Sequence, residues 1–253
     1  MFHPKKSLLL AVLSMFNLSL YAGEGIPEPM LFDLIRPLDS KKGELEVNTL
    51  VHKSFDSKNT DRSSDPFGSG ATTYDKQKIE WAPEIEYAIA DGFAVEFELP
   101  MEGKKIEAYK FATQYTFGEV GDSYIHGVQA IVEPNHDLQR YNTTLLYLGG
   151  YRFDDTFSTL FMLGGRMDLE GKEKSETFEY LANGTIFAEL SHHIALGFET
   201  NYSRHTNGEY AVTLVPQLHY EANKNIEFQA GLSFGEASYS SEKAFVLRGI
   251  YCF

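Results

Sequence analysis

Hydrophobic and polar residues alternate along most of this chain with a period of two, the spacing of a strand whose two faces meet different surroundings. In "EIEYAIADGFAVEFELP", Ile85, Tyr87 and Ile89 fall on one face, and Glu84, Glu86 and Ala88 on the other. After "ADG", Phe93, Val95, Phe97 and Leu99 alternate with Ala94, Glu96 and Glu98, a hairpin by pattern and by turn chemistry. "YNTTLLYLGGYRF" with "TFSTLFMLGGRM", "ETFEYLANGTIFAEL" with "IALGFETNYS", and "YAVTLVPQLHYEA" with "IEFQAGLSFG" read the same way. Beyond the first residues no window carries a helical stripe.

Strands are predicted to start near Glu44, Gln77, Gly92, Ile106, Ser123, Gln139, Thr156, Thr177, Ile194, Tyr210, Ile226 and Ala244. Tight turns follow the even-numbered strands. Longer polar connections follow the odd ones: "DSKNTDRSSDPFGSGATTYD", "EPNHD", "LEGKEKS", "RHTNGE" and "EASYSSEK". An even count with short turns at one end and long loops at the other predicts an all-β fold, a transmembrane antiparallel up-and-down β-barrel of about twelve strands.

Alternation alone allows either face to be the inside. One stripe runs through Trp81, Ile85, Phe97, Phe161, Ile186, Phe198, Leu218 and Phe228; the other carries Glu44, Glu46, Glu80, Arg140, Arg166, Glu179 and further charges. Aromatics decide the orientation. Tyr87, Phe93, Phe117, Phe153, Phe157 and Tyr220 stand beside tight turns, and Phe55, Trp81, Tyr109, Tyr141, Tyr202, Tyr210 and Phe245 stand toward the loops. Two such rows form girdles at two lipid–water boundaries, so the apolar stripe is expected to face lipid.

The first residues supply access to such a membrane. Lys5 and Lys6, the apolar run "SLLLAVLSMFNLSLY" and the small residues of "YAGEG" follow the order of a secretory signal, expected to span residues 1–22. Residues 23–43 are then a periplasmic segment and 44–253 the barrel. The whole chain has net charge −14. Without Lys5 and Lys6 it has 22 − 2 = 20 bases against 36 acids, or −16, which argues against a nucleic-acid partner. The single cysteine, Cys252, excludes an intramolecular disulfide and a cysteine-built zinc site.

The last residues, "FVLRGIYCF", put Phe245, Leu247, Gly249, Tyr251 and Phe253 on the lipid stripe and Arg248 on the other. This alternation closing on a terminal Phe resembles the ending by which Gram-negative outer-membrane proteins are recognised for insertion, with Tyr251 and Phe253 as the assembly signal. "GELEVNTL" at Gly43 to Leu50, "PEIEYAIADGFAVEFELP" and "VPQLHYEANKNIEFQAGLSFG" are similar to the outer-membrane transporter family of phenol meta-pathway (aromatic-degradation) clusters. The resemblance implies a small-molecule channel with periplasmic termini. Its surroundings would be outer-membrane lipid and lipopolysaccharide, its folding partner the barrel-assembly machinery, and its cargo a small solute; it brings no catalytic residue and no cofactor.

Twelve strands leave a narrow, side-chain-lined lumen. Glu84, Glu86, Glu96, Glu98, Glu189, Glu199, Glu221 and Glu227, with Arg152 and Arg248, are expected to line it. Two readings stand: a salt-bridged network bracing the wall, or an acidic constriction that admits cations or polar neutral solutes. The segment before the first strand has three prolines in "GEGIPEPMLFDLIRPLDSKKG", yet carries Met30, Leu31, Phe32, Leu34 and Ile35. It is either a lumen plug, a cap on the turn end, or a loose tail.

The enzyme alternative rests on "VHKSF", where His52 and Ser54 resemble the His-x-Ser of outer-membrane lipid hydrolases, but their parity points them inward, away from acyl chains. His205 in "RHTNG" has no matching serine, and His192 and His193 sit in a turn. Asp56, Asn59, Asp61 and Asp65 match no defined calcium cage. A structural or adhesive barrel is the remaining alternative, disfavoured by the short loops.

Overall fold

The computed structural model describes residues 25–32, 34–58, 79–121, 123–170 and 178–253. The expected signal segment, most of the first loop with Asn59, Asp61 and Asp65, and the "GKEKS" loop lie outside these residues.

The strands are β1 (Leu45–Lys58), β2 (Glu80–Ala90), β3 (Phe93–Glu98), β4 (Met101–Glu102), β5 (Lys105–Ile106), β6 (Lys110–Val120), β7 (Tyr124–Pro134), β8 (Tyr141–Arg152), β9 (Phe157–Glu170), β10 (Phe178–Ser191), β11 (Ile194–His205), β12 (Tyr210–Asn223), β13 (Ile226–Ala237) and β14 (Ser240–Cys252). Each pairs antiparallel with its neighbour, and β1 pairs with both β14 and β2, so the sheet closes on itself. β4 continues β3 in the register against β2, from Glu84↔Glu98 to Trp81↔Met101. Pro100 sits in the gap between them, where its missing N–H cannot extend the ladder. β5 and β6 form the next wall strand, likewise interrupted, and the barrel has twelve strands.

The expected strand starts hold to within a few residues, with one correction. "EASYSSEK" is not a long loop: Ala237 pairs with Ser240 across a two-residue turn, and β14 starts four residues before Ala244. Polar residues there alternate in and out of a strand end that stands clear of the apolar band, so composition suggested a loop.

Facing is set by alternation. Along β6, Lys110, Ala112, Gln114 and Thr116 are buried, and Phe111, Thr113, Tyr115 and Phe117 are exposed. The exposed face collects the large apolar side chains, among them Leu145, Ile186, Phe198, Leu247 and Phe253, whereas Glu46, Glu86, Gln129 and Glu199 are buried inside. A soluble barrel would show the reverse. Extra residues on one strand at Ala88/Ala90, Thr116/Gly118, Glu189/Ser191 and Glu221/Asn223 kink four hairpins just before their tight turns. Both ends of the wall meet here: Phe253 N–H donates to Leu45 O at 2.9 Å.

Candidate functional site in the barrel lumen

Residues 25–32 and 34–40 lie inside the barrel. The chain enters at the turn end, where Arg152 Nη2 donates to Gly25 O, and rises to Met30–Phe32 near mid-wall. It returns to the turn end, where Gly92 N–H donates to Ser40 O at 3.0 Å. Pro27, Pro29 and Pro37 keep this path irregular. Its backbone groups must find partners elsewhere. Glu199 of β11 supplies three at once: it accepts the N–H groups of Met30 (2.9 Å), Leu31 (3.1 Å) and Phe32 (2.9 Å). Asn201 Nδ2 donates to the same carboxylate at 2.7 Å and orients it. Gln114 brackets the descending limb, accepting from Ile35 N–H at 3.2 Å and donating to Arg36 O at 2.7 Å.

The lumen wall has two characters. On β6 to β10 the inward residues Ala112, Ile131, Leu146, Leu148, Leu160, Met162 and Phe187 pack against Phe32, Leu34, Ile35 and Leu38 of the segment. Met30 packs separately against Leu50 and Val246. The other side of the lumen is ionic. Arg248 of β14 reaches Glu84 at 2.8 Å and Glu86 at 3.4 Å, and faces Glu28 of the segment at 3.6 Å. Arg36 of the segment pairs with Glu46, lies 3.2 Å from Glu44 and faces Glu86 at 3.8 Å. Asn48 Nδ2 donates to both Glu46 and Glu86 at 2.9 Å, tying the two carboxylates together. Lys110 pairs with Glu96 at 3.0 Å and also with Glu98. Burial and the nearby Glu46 push the Glu28 carboxyl up to about 8, against the opposing pull of Arg248 and Arg36.

The residues expected to line the lumen do not form one ring. Glu84, Glu86, Glu96, Glu98 and Arg248 come together on β2, β3 and β14. Arg152 and Glu189 form a separate pair at 2.9 Å by the turn end, and Glu199 stands alone on β11 as the backbone clamp. Glu227 pairs with His219 at 3.2 Å. Glu221 lies exposed at the turn end, where it is registered opposite Glu227 just before the irregularity at Glu221/Asn223. Tyr251 and Phe253 face outward with their rings edge to face, centroids 4.7 Å apart.

Sequence reasoning missed Arg36, Asn48, Lys110 and Gln114 as lumen residues, although the last two sit at inward parity in "KFATQY". It missed the apolar wall altogether. His52 is buried in the lumen between Glu80 (3.5 Å) and Glu242 (3.9 Å), and Ser54 is buried on the same face. Asp56 pairs with Lys243 at 2.9 Å. Glu84, Glu86 and Glu96 each bring an oxygen within 4.8 Å of the others, and protein cations already lie against that group, Arg248 against Glu84 and Glu86 and Lys110 against Glu96.

No protein-family model matches the sequence, and no curated protein does. The fold matches solved channels. The COG4313 outer membrane channel from Pseudomonas putida F1 superposes with a TM-score of 0.65 at 9% identity, covering 90% of this chain and 100% of that one. The NanC porin gives 0.59 at 9% identity over 81% and 98%, and the KdgM porin 0.58 at 12% over 82% and 99%. KdgM porin has also been solved in complex with disordered oligogalacturonate. At these identities the likeness is one of architecture: the chain folds as a closed twelve-stranded barrel of the outer-membrane porin kind.

Proposed function

We propose that the chain is an outer-membrane channel for small polar or cationic solutes, with residues 25–40 closing the turn-side part of its lumen. One observation carries this reading: the turn-side part of the lumen is occupied by a segment held almost wholly through wall side chains, so withdrawing it breaks no strand ladder. A wall of twelve strands is wide enough to leave a passage when the segment is out. On the ionic side the wall itself carries Glu46, Glu84, Glu86, Glu96 and Glu98 against Arg248 and Lys110, an acid excess that favours cations. An acidic sugar chain such as the oligogalacturonate bound by KdgM porin would be repelled.

In this reading the turn end is periplasmic, residues 1–22 are a cleaved signal, and Tyr251 and Phe253 present the assembly signal to the barrel-assembly machinery. Lipid and lipopolysaccharide surround the wall. The finer resemblance to the phenol meta-pathway transporters is supported by the apolar half of the lumen, which suits a ring-bearing solute. A lipid-hydrolase reading is not favoured, since His52 and Ser54 face the lumen rather than lipid.

Planar-bilayer recording tests the proposal. Native protein is expected to pass small, interrupted currents with a reversal potential that marks cation preference, and a variant lacking residues 25–40 larger, steady ones. Anion preference, or silence from both folded proteins, would refute it.

A further inference from the structure

Arg36 is a cation brought to the wall by a segment that belongs to no strand. The residue is buried, 5% exposed, and its guanidinium meets Glu46, Glu44 and Glu86. Among the described residues, main-chain bonding between this segment and the wall backbone begins only at Ser40. Two of the carboxylates it meets, Glu46 and Glu86, belong to wall strands and share a further partner there, since Asn48 donates to both. Glu86 is fully buried, and its Oε2 has no hydrogen-bond donor, facing Arg36 Nη1 at 3.8 Å.

With the segment out, Glu46, Glu84 and Glu86 would face Arg248 alone, three carboxylates to one guanidinium. Uncompensated buried charge of that kind is costly and calls for a cation in the place that Arg36 leaves. The residue before Arg36 points the other way in chemistry. Ile35 is fully buried, with Leu34 and Leu38, against the apolar wall of Leu148, Leu160, Met162 and Phe187.

We propose that residues 34–38 are a tethered stand-in for the solute, and that Glu46 and Glu86 form a subsite for a guanidinium or amidinium group carried on an apolar body. This deepens the channel reading and rests on it. The solute and the segment then compete for one place: the solute's cation replaces Arg36, and its apolar part replaces Ile35 on the facing wall. A bare metal ion would satisfy the carboxylates and leave the apolar wall exposed, so it is the poorer occupant.

Benzamidine is the probe, with benzoate as the same ring bearing the opposite charge, guanidinium chloride as the cation without the ring, and calcium as the bare ion. Full-length Arg36→Ala is recorded in planar bilayers beside native protein and the double variant Arg36→Ala/Glu46→Gln. Benzamidine is expected to block the Arg36→Ala channel at a concentration about tenfold or more below that needed for the native or the double variant, as loss of one partner of a buried ion pair implies. Equal block of all three proteins, block by benzoate, or block by calcium or guanidinium at the same concentrations would overturn the subsite. Arg36→Gln serves if Arg36→Ala does not give a folded barrel on heat-modifiability gels. If the folded proteins pass no current at all, the channel reading fails by itself. The subsite is then read in detergent, where benzamidine should raise the melting temperature of Arg36→Ala and leave the double variant unchanged; no rise, or an equal rise in both, would overturn it.

Discussion

Among the described residues, Glu199 accepts more of the segment's N–H groups than any other wall side chain. A carboxylate accepting three consecutive N–H groups is the arrangement a helix N-terminus offers an anion, here built by an irregular turn that has no helix to continue. Hydrogen bonds to a charged group are worth about 1.5–3 kcal/mol each, and a buried donor left without one is penalised. Glu199→Ala is therefore expected to raise the amide exchange rates of Met30, Leu31 and Phe32 by about a hundredfold, equivalent to about 2.7 kcal/mol; protection equal to native would show that the apolar contacts alone hold the apex. Glu28 gives the plug a pH dependence. Its carboxyl is raised from 4.5 to about 8 where it faces Glu46 of β1, Glu227 of β13, Arg248 of β14 and the segment's own Arg36. The docked segment thus binds a proton that the free segment has lost, and docking is strongest below the usual carboxylate range and weakens as pH rises through about 8. Open probability should climb as pH rises from about 4.5 to about 8 and level off above that, and Glu28→Gln should flatten that rise while leaving other lumen acids in place.

At the scale of elements, the wall and the segment respond differently to the same kind of change. A Cβ on Gly127 would lie 2.5 Å from the carbonyl oxygen of Tyr115, so Gly127→Ala forces β6 and β7 apart at the irregularity beside Gly118. A Cβ on Gly150 would lie 2.7 Å from the Cδ1 of Ile26, the flexible end of a side chain in the segment. Gly127→Ala should lower the fraction of heat-modifiable folded barrel, and Gly150→Ala should keep the barrel and increase conductance. Ile35→Asp places a charge against Leu148 and Phe187 and should open the channel outright, with folded barrel retained, because the ladder does not involve the segment. The strands themselves were legible from the sequence, since period-two alternation survives any small error in where a strand begins. The start of β14 was misread because "SYSSEK" lies beyond the apolar band and its polar side chains carry no contrast between faces. The apolar patch on β7 to β10 was unreadable for the opposite reason: in "TTLLYLGG" and "TLFMLGG" both faces are apolar, so the pattern cannot tell lumen from lipid.

Across the whole molecule the lumen's acid excess acts at a distance that salt controls. The Debye length is about 10 Å at 0.1 M and about 3 Å at 1 M, spanning the scale of a narrow pore. Cation preference measured from reversal potentials should fall as the bathing salt rises between these concentrations, and a preference independent of salt would locate selectivity in direct coordination instead. What the sequence by itself determined is the barrel: its strand number and the face that collects the large apolar residues, both of which follow from local alternation and turn chemistry. What only the tertiary structure decided is the content of the lumen. Met30 meets Glu199 across 169 positions of sequence, and Arg248 meets Glu84 across 164. Contacts of that separation leave no periodic trace, because they depend on closure of the sheet bringing β11 and β14 around a segment whose own residues, three prolines among them, follow no repeat.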